Sequence, residues 1–346
     1  MPKSVSTISA AWRKRSRHMG HSIWFERVIA SELRPQIGSN VTILGPESGQ
    51  DPYDGIEHAA GIMASMLPYT ADVMDRARNV VVLARTGIGV DAIDIGAATD
   101  RAIAVCNTPE GPTVSTAEHA VALMLAVAKR LINSADALRS AAGNYYANHQ
   151  ALELEGKNLG LVGYGRIGRR VGRAASGLGM EVLAFDPFLG EEDSVATRVD
   201  TLDDLIARAD VVSIHVPLTP ESRHLFDRAR LQAMRPGSIL INTSRGAIVD
   251  QEALVGALDS GHLFGAGLDV TDPEPLPPDH ALLHRSDVIV TPHVASGTIE
   301  GKARIFRTAL KQVLMVLDGE PPDHMVNPEV WPRVEHRLRE GIHGGP

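Results

Sequence analysis

Three short segments carry charged side chains in apolar or glycine-rich company: INTSRGAIVD with Arg245, GLDVTDPEPLP with Asp269 and Glu274, and VTPHVASG with His293. Their chemistries complement one another. A guanidinium grips a carboxylate through two parallel hydrogen bonds. An imidazolium donates a proton to a carbonyl oxygen as charge develops there. A glutamate paired with that imidazole favours its charged form and raises its pKa. Reduction of a carbonyl beside a carboxylate calls for this set. Each member follows an apolar run that reads as a strand, and ligands bind at the carboxyl ends of parallel strands. Chain order alone does not bring the three side chains together.

A second constellation is Gly163-x-Gly165-x-x-Gly168, in GLVGYGRIGRRVGRAA. Alone it is a weak signal, but here an apolar strand precedes it and a helix opens after it. Gly163 permits the tight turn, Gly165 lets a pyrophosphate approach the backbone, and Gly168 lets the helix pack close to the strand. The helix N-terminus, with the amides around Arg166 and Ile167, then faces the phosphates. The next strand ends in Asp186, whose carboxylate suits the adenine ribose hydroxyls and repels a 2′-phosphate. Pro187 and Phe188 follow, with no arginine or lysine beside them to hold such a phosphate. The pattern therefore favours NAD over NADP.

The elements that must position these residues show as short apolar runs separated by helical lengths. VTILG (41–45), GIMAS (61–65), VVVLA (80–84) and IAV (103–105) read as parallel strands of a small α/β unit. HSIWFERVIASEL, before them, reads more as helix than strand. A long apolar helix is expected over about Val114 to Ile132, apolar on more than one side, which fits packing on a sheet and either a partner subunit or the interior of one subunit. From Asn158 the alternation is regular: NLGLVG, EVLAFD, VVSIHV, SILINT, FGAGLDV and DVIVTP. A final helix over about Thr298 to Leu317 leads into PPDHMVNPEV, which returns the chain to its first part. The expected fold is α/β with two doubly wound parallel-sheet domains, a Rossmann dinucleotide-binding domain inserted into a smaller flavodoxin-like substrate domain. The expected boundaries are a flexible basic tail over 1–20, the substrate domain over 21–108, the NAD-binding domain with a dimerisation helix over 109–296, and the return helix and remainder of the substrate domain over 297–346.

Bulk properties narrow the function classes. A chain of 346 residues is long enough for two domains. Its formal charge of -8 argues against a nucleic-acid partner and leaves a small anion to local positive groups. The single cysteine, Cys106, excludes an intramolecular disulfide and a Cys-rich zinc site. His280 and His284 have a zinc-compatible spacing but no third ligand nearby, so no metal is expected. No apolar run reaches the ~20 residues that span a bilayer. Residues 1–20 are basic without an acid, a balance shared with mitochondrial transit peptides. The simpler reading is a mobile tail on a cytoplasmic protein.

With these residues in view, about Gly61 to Gly297 resembles the D-isomer-specific 2-hydroxyacid dehydrogenase family. The resemblance runs through ARTGIGVDAID (84–94), STAEH (115–119), GLVGYGRIGR (160–169), HVPLTPES (215–222), NTSRGAIVD (242–250), GLDVTDPEPLPPDH (267–280) and TPHVAS (291–296), in the family's order. It implies hydride transfer between NAD and a small D-2-hydroxy acid or its 2-keto partner. Arg245 would bind the substrate carboxylate, His293 would be the acid/base and Glu274 its partner. Arg166, Ile167, Asp186, Val216, Ser222, Thr243 and Asp269 fall on the family's cofactor contacts, with Thr116 and Pro217 beside them. The backbone of Ile88 and Gly89 would hold the substrate carboxylate from the smaller domain, and a homodimer is implied. Ala64, Ser65 and Met66 stand where phosphate-handling members often carry arginine, which counts against 3-phosphoglycerate; Glu274 counts against formate. The C-terminal-binding-protein corepressors resemble the same family, so an NAD(H)-sensing binding protein without physiological turnover is the alternative.

Overall fold

A computed structural model describes residues 20–45, 51–140, 143–188 and 195–340. The expected basic tail thus lies outside the described residues except for Gly20. Contacts divide the chain into two units, one running up to Pro112 and resuming at Ile299, the other Thr113–Thr298. Among the described residues each unit is built on one wholly parallel sheet.

The first unit contains β1 (His21–Phe25), β2 (Val41–Leu44), β3 (Gly61–Ala64), β4 (Val82–Arg85) and β5 (Ala104–Cys106), in the order β2-β1-β3-β4-β5. This is the flavodoxin-like order, with its reversal between β1 and β3. HSIWF is a strand here, not the helix that its sequence suggested. It pairs with β2 on one side and β3 on the other, and Ile23 and Trp24 are fully buried. A strand covered on both faces shows a continuous apolar run without alternation, which periodicity does not separate from helix.

The return segment is knitted into this sheet. The helix Ile299–Leu317 packs on β3 and β4, burying Phe306, Leu310 and Val313. Beyond it, the buried carboxamide of Asn327 accepts from Val105 N at 2.8 Å and donates to Ile103 O at 3.0 Å. Gln312 donates to Asn107 O and accepts from His324 N, each at 2.8 Å. These bonds satisfy backbone groups in and beside β5 and in the returning segment itself.

The second unit contains β6 (Asn158–Val162), β7 (Glu181–Phe185), β8 (Thr197–Arg198), β9 (Val211–Ile214), β10 (Ser238–Asn242), β11 (Leu263–Leu268) and β12 (Val288–Val290). The order β12-β11-β10-β9-β6-β7-β8 is the dinucleotide-binding arrangement with one strand added beyond its last position. Helices on both faces bury apolar side chains against it. Three start at side-chain caps: Thr201, Asp227 and Asp250 accept from the amides of Asp204, Arg230 and Ala253. Each such cap stabilises its helix by roughly 1 kcal/mol.

The long apolar helix is shorter than its sequence suggested. It spans Thr113–Ala128, and a second helix, Leu131–Arg139, begins after Arg130 takes left-handed φ of 51°. The Arg130 guanidinium stacks on Phe264 at 3.9 Å and donates to Phe264 O at 2.9 Å, which holds the bend. Leu131 and Ile132, at the end of the apolar helix expected from the sequence, are exposed. Among the described residues no helix is long and apolar enough to cross a membrane.

Candidate active site

The turn after β6 is shaped by contact with the strand beside it. Gly163 has φ +91°, and a Cβ there would lie 2.7 Å from His215 O and 2.9 Å from a Val216 methyl. Any other residue is excluded both by conformation and by space. A Cβ on Gly168 would lie 2.3 Å from Gly163 O, so the helix Arg166–Gly177 comes down directly on the turn. Gly165 differs: nothing stands within 4 Å of its Cβ position. The helix begins there without a side-chain cap, so its first amides, those of Arg166 and Ile167 included, face open space. This is the cradle that a pyrophosphate requires.

Asp186 closes the rim of that cradle. One carboxylate oxygen accepts from Tyr164 N in the glycine turn at 2.8 Å, the other from Phe188 N at 2.9 Å. Across the turn, His215 pairs its Nε2 with Ser213 Oγ at 2.9 Å, and burial pushes its imidazole down to about 4. It stays neutral near pH 7. Pro217 O accepts from Ser222 Oγ at 2.7 Å, and the same hydroxyl accepts from Thr219 N at 2.7 Å, so Ser222 ties the loop after β9. Thr243, directly after β10, is buried, and its Oγ1 has no hydrogen-bond partner within the described residues. A buried hydroxyl left unpaired costs free energy unless a ligand satisfies it. The open ground at Gly165, the uncapped helix and the Thr243 hydroxyl all fit a dinucleotide.

The charged residues gather on the same edge. Arg245, Glu274 and His293 lie in the loops that leave β10, β11 and β12, three adjacent strands in register at Asn242, Leu268 and Val290. His293 Nδ1 and Glu274 Oε1 are 2.7 Å apart, both side chains about one-quarter exposed. A carboxylate only accepts, so Nδ1 carries the proton and donates it, leaving Nε2 for exchange. The loop after β10 is fixed from both sides. Asn242 donates to Arg245 O at 2.9 Å and accepts from Ser244 N, while Ser244 Oγ donates to Ile214 O. Gly246 allows this loop to touch the next one, since a Cβ there would lie 2.0 Å from the carbonyl carbon of Thr271. The Arg245 guanidinium donates to Ser244 O at 2.7 Å.

Asp269 organises the histidine loop. It is 1% exposed, and its Oδ1 accepts from Thr291 Oγ1 (2.6 Å) and Val294 N (2.9 Å), its Oδ2 from Ala295 N (2.8 Å). Its own carbonyl accepts from His293 N at 2.8 Å. These bonds hold His293 at φ 52°, a left-handed conformation that a non-glycine residue adopts only when its surroundings impose it. His119, in the helix Thr113–Ala128, joins this network. Its Nε2 is 3.0 Å from Thr291 Oγ1 and 3.4 Å from Asp269 Oδ1. The signal available was its spacing from Thr116: three residues apart in the helix Thr113–Ala128, the two share a face.

Ile88 and Gly89 belong to the first unit, in the loop after β4. Asn107 donates to Ile88 O at 2.8 Å, and Thr108 N donates to Gly87 O at 2.9 Å, which fixes the loop at the carboxyl end of its sheet. His280 and His284 serve local turns, through Leu282 N and Pro278 O. Among the described residues no group of three or more His, Cys, Asp or Glu side chains could hold a metal ion.

Residues 121–295 match the family model described as D-isomer specific 2-hydroxyacid dehydrogenase, NAD binding domain. The chain belongs to this family. NAD is accordingly the cofactor of its second unit. Among its relatives, a glyoxylate reductase of Thermofilum pendens is 42% identical over 268 residues, covering 75% of this chain and 78% of that protein. A D-3-phosphoglycerate dehydrogenase of Archaeoglobus fulgidus is 37% identical over 280 residues, covering 80% of this chain and 53% of the relative, so the match spans about half the relative's length. A solved structure of a Thermus thermophilus protein superposes with a TM-score of 0.81 at 38% identity, covering 88% of this chain and 99% of that one.

Proposed function

We propose that this family member interconverts a D-2-hydroxy acid and its 2-keto acid with NAD. The observation that carries the reading is the His293–Glu274 pair at 2.7 Å on the strand edge that also bears the glycine turn. Glu274 keeps the proton on Nδ1 and sets the ring's orientation, so that Nε2 gives a proton to the carbonyl oxygen in reduction and takes it back in oxidation. Arg245 holds the substrate carboxylate as a planar fork, and the backbone of Ile88 and Gly89 contributes further contacts to that carboxylate. Gly163, Gly165, Gly168 and the amides of Arg166 and Ile167 would hold the pyrophosphate. Asp186 would hold the adenine ribose, while Val216, Pro217, Ser222, Thr243, Thr116 and Asp269 would line the rest of the cofactor's length. Hydride donation and acceptance is the chemistry that NAD supplies when bound there. Glyoxylate reduction, the activity in the name of the Thermofilum relative, is within the proposed substrate range.

The active form is a homodimer in this reading. The helix Leu131–Arg139 has no buried residue, and Leu131, Ile132, Leu138, Tyr145 and Tyr146 are exposed on and beside it. A second copy of the chain would cover them. NADH oxidation against a panel of 2-keto acids, repeated with NADPH, tests the activity. The reading expects turnover of at least one small keto acid and a strong preference for NADH. No turnover on any member, with NADH bound, would favour a cofactor-sensing role instead.

A further inference from the structure

Glu274 reaches His293 from a stretch of chain with little main-chain support of its own. Val270 and Leu276 are buried at its two ends. Among the described residues, positions 271–275 between them make no backbone-to-backbone hydrogen bond. Thr271 Oγ1 donates to Pro273 O at 2.9 Å, a bond internal to the stretch. The Asp272 carboxylate meets Arg223 at 3.5 Å, an exposed ion pair that contributes little. The Asp272 backbone has a firmer partner in Gln251. The carboxamide oxygen of Gln251 accepts from Asp272 N at 3.1 Å, and its nitrogen donates to Asp272 O. One side chain thus makes to one residue the pair of bonds that a residue of a neighbouring strand would make. A flipped amide would set donor against donor and acceptor against acceptor, so its orientation is fixed. Gln251 is itself well anchored as the first residue of the helix Gln251–Asp259. Asp250, the cap of that helix, accepts from Ala253 N and donates its own N–H to Phe226 O at 3.0 Å, and Phe226 is fully buried.

We infer that Gln251 is a positioning residue for the acid–base pair: its carboxamide holds the Asp272 backbone, and through it the Glu274 carboxylate, where His293 Nδ1 meets it. This rests on the dehydrogenase reading above. The bond between Nδ1 and Glu274 orients the imidazole, and with it the Nε2 that exchanges the proton. Displacement of a reacting group by about 1 Å can cost about 10²-fold in rate. The hold on the substrate carboxylate is secured separately. Asn242 and Ser244 fix the loop of Arg245 through bonds in which Gln251 has no part. Loss of the Gln251 carboxamide therefore lowers kcat and spares KM.

The test uses the full-length protein with NADH and a keto acid that it reduces. Gln251→Met keeps the length of the side chain and removes both bonds. Its kcat is expected to fall about 10–100-fold, while KM for the keto acid and the affinity for NADH stay within about threefold of native. The same substitution in a Glu274→Gln background separates positioning from a general structural role. An effect that runs through Glu274 has little left to act on there, so Gln251→Met should cost less than about threefold. Falls that multiply in full overturn the inference. So does a single variant whose kcat is within about threefold of native, or whose KM rises in step with the fall. Should Gln251→Met be unfolded, Gln251→Glu takes its place under the same criteria; it loses the donor to Asp272 O, while an acid in the first turn favours the helix. If the native protein reduces no keto acid, the dehydrogenase reading is what fails. Crystal structures of the native protein and Gln251→Met then decide the inference. Glu274 displaced beyond about 3.5 Å from His293 Nδ1 in the variant supports it, and an unchanged pair refutes it.

Discussion

The carboxyl edges of the two sheets follow one rule of α/β architecture and end in opposite states. On the larger sheet, acceptors and donors inside the loops lock one another, and what remains faces outward. Asp269 clamps residues 291–295, Asn242 and Ser244 clamp the loop of Arg245, and the space at Gly165 stays open. On the smaller sheet, the equivalent crevice is filled by Glu26, whose partners are the amides of residues 65–67. A nest of amides is thus no sign of a ligand until its internal partner has been looked for. A buried carboxylate likewise becomes informative once its donors are counted: Asp269 shapes the loop that carries His293.

The clamp on the larger edge carries the largest expected effect. Asp269→Asn keeps the shape but turns an NH2 toward backbone amides or the Thr291 hydroxyl. We expect a loss of about 1–3 kcal/mol in stability, as for a buried donor left unsatisfied, together with a fall in turnover larger than any change in NADH affinity. Urea unfolding and steady-state kinetics measure both; a variant as stable and active as the native protein removes Asp269 from its role. Arg245→Lys is the next largest. A point charge cannot replace the planar fork, so KM for the keto acid should rise roughly 10–100-fold, the equivalent of about 1–3 kcal/mol. An unaltered KM argues against the carboxylate contact.

A further effect concerns pH. His215 titrates at about 4 in the folded protein, against an ordinary 6.5, because burial disfavours its charged form. Between those values the unfolded chain binds a proton that the folded chain refuses, so stability is full above pH 6.5 and declines as pH falls toward 4. The decline attributable to this group is about 2–3 kcal/mol by pH 4.5. Urea unfolding at pH 7.5 and 4.5 should show that difference in the native protein and a smaller one in His215→Gln. Equal differences would mean that His215 is not held neutral.

Much of the fold was legible because strands covered on both faces write themselves as apolar runs, and glycine punctuates the turns between them. The misreadings have physical causes. HSIWF lacks alternation because both its faces are buried, so it passed for helix; β8 is two exposed residues with no apolar signature. The bend at Arg130 depends on Phe264, a residue far along the chain that no local pattern reveals. At the site, residue types and their loops could be read, but their meeting could not. His293 reaches Glu274 because β11 and β12 are neighbours, and His119 reaches Asp269 across the sheet from a helix. Glu26 was invisible for the same reason, since three of its partners are backbone amides and the fourth is the hydroxyl of Tyr69, far along the chain.

Replacement of His293 by alanine is the sharpest test of the proposed acid–base role. Keto-acid turnover is expected to fall by about 10²–10⁴-fold, the contribution of a positioned acid–base group, while NADH binding, followed by its fluorescence, stays within a few-fold of native. Turnover undiminished in His293→Ala would mean that His293 is not the acid–base group, whatever else the site is shown to hold.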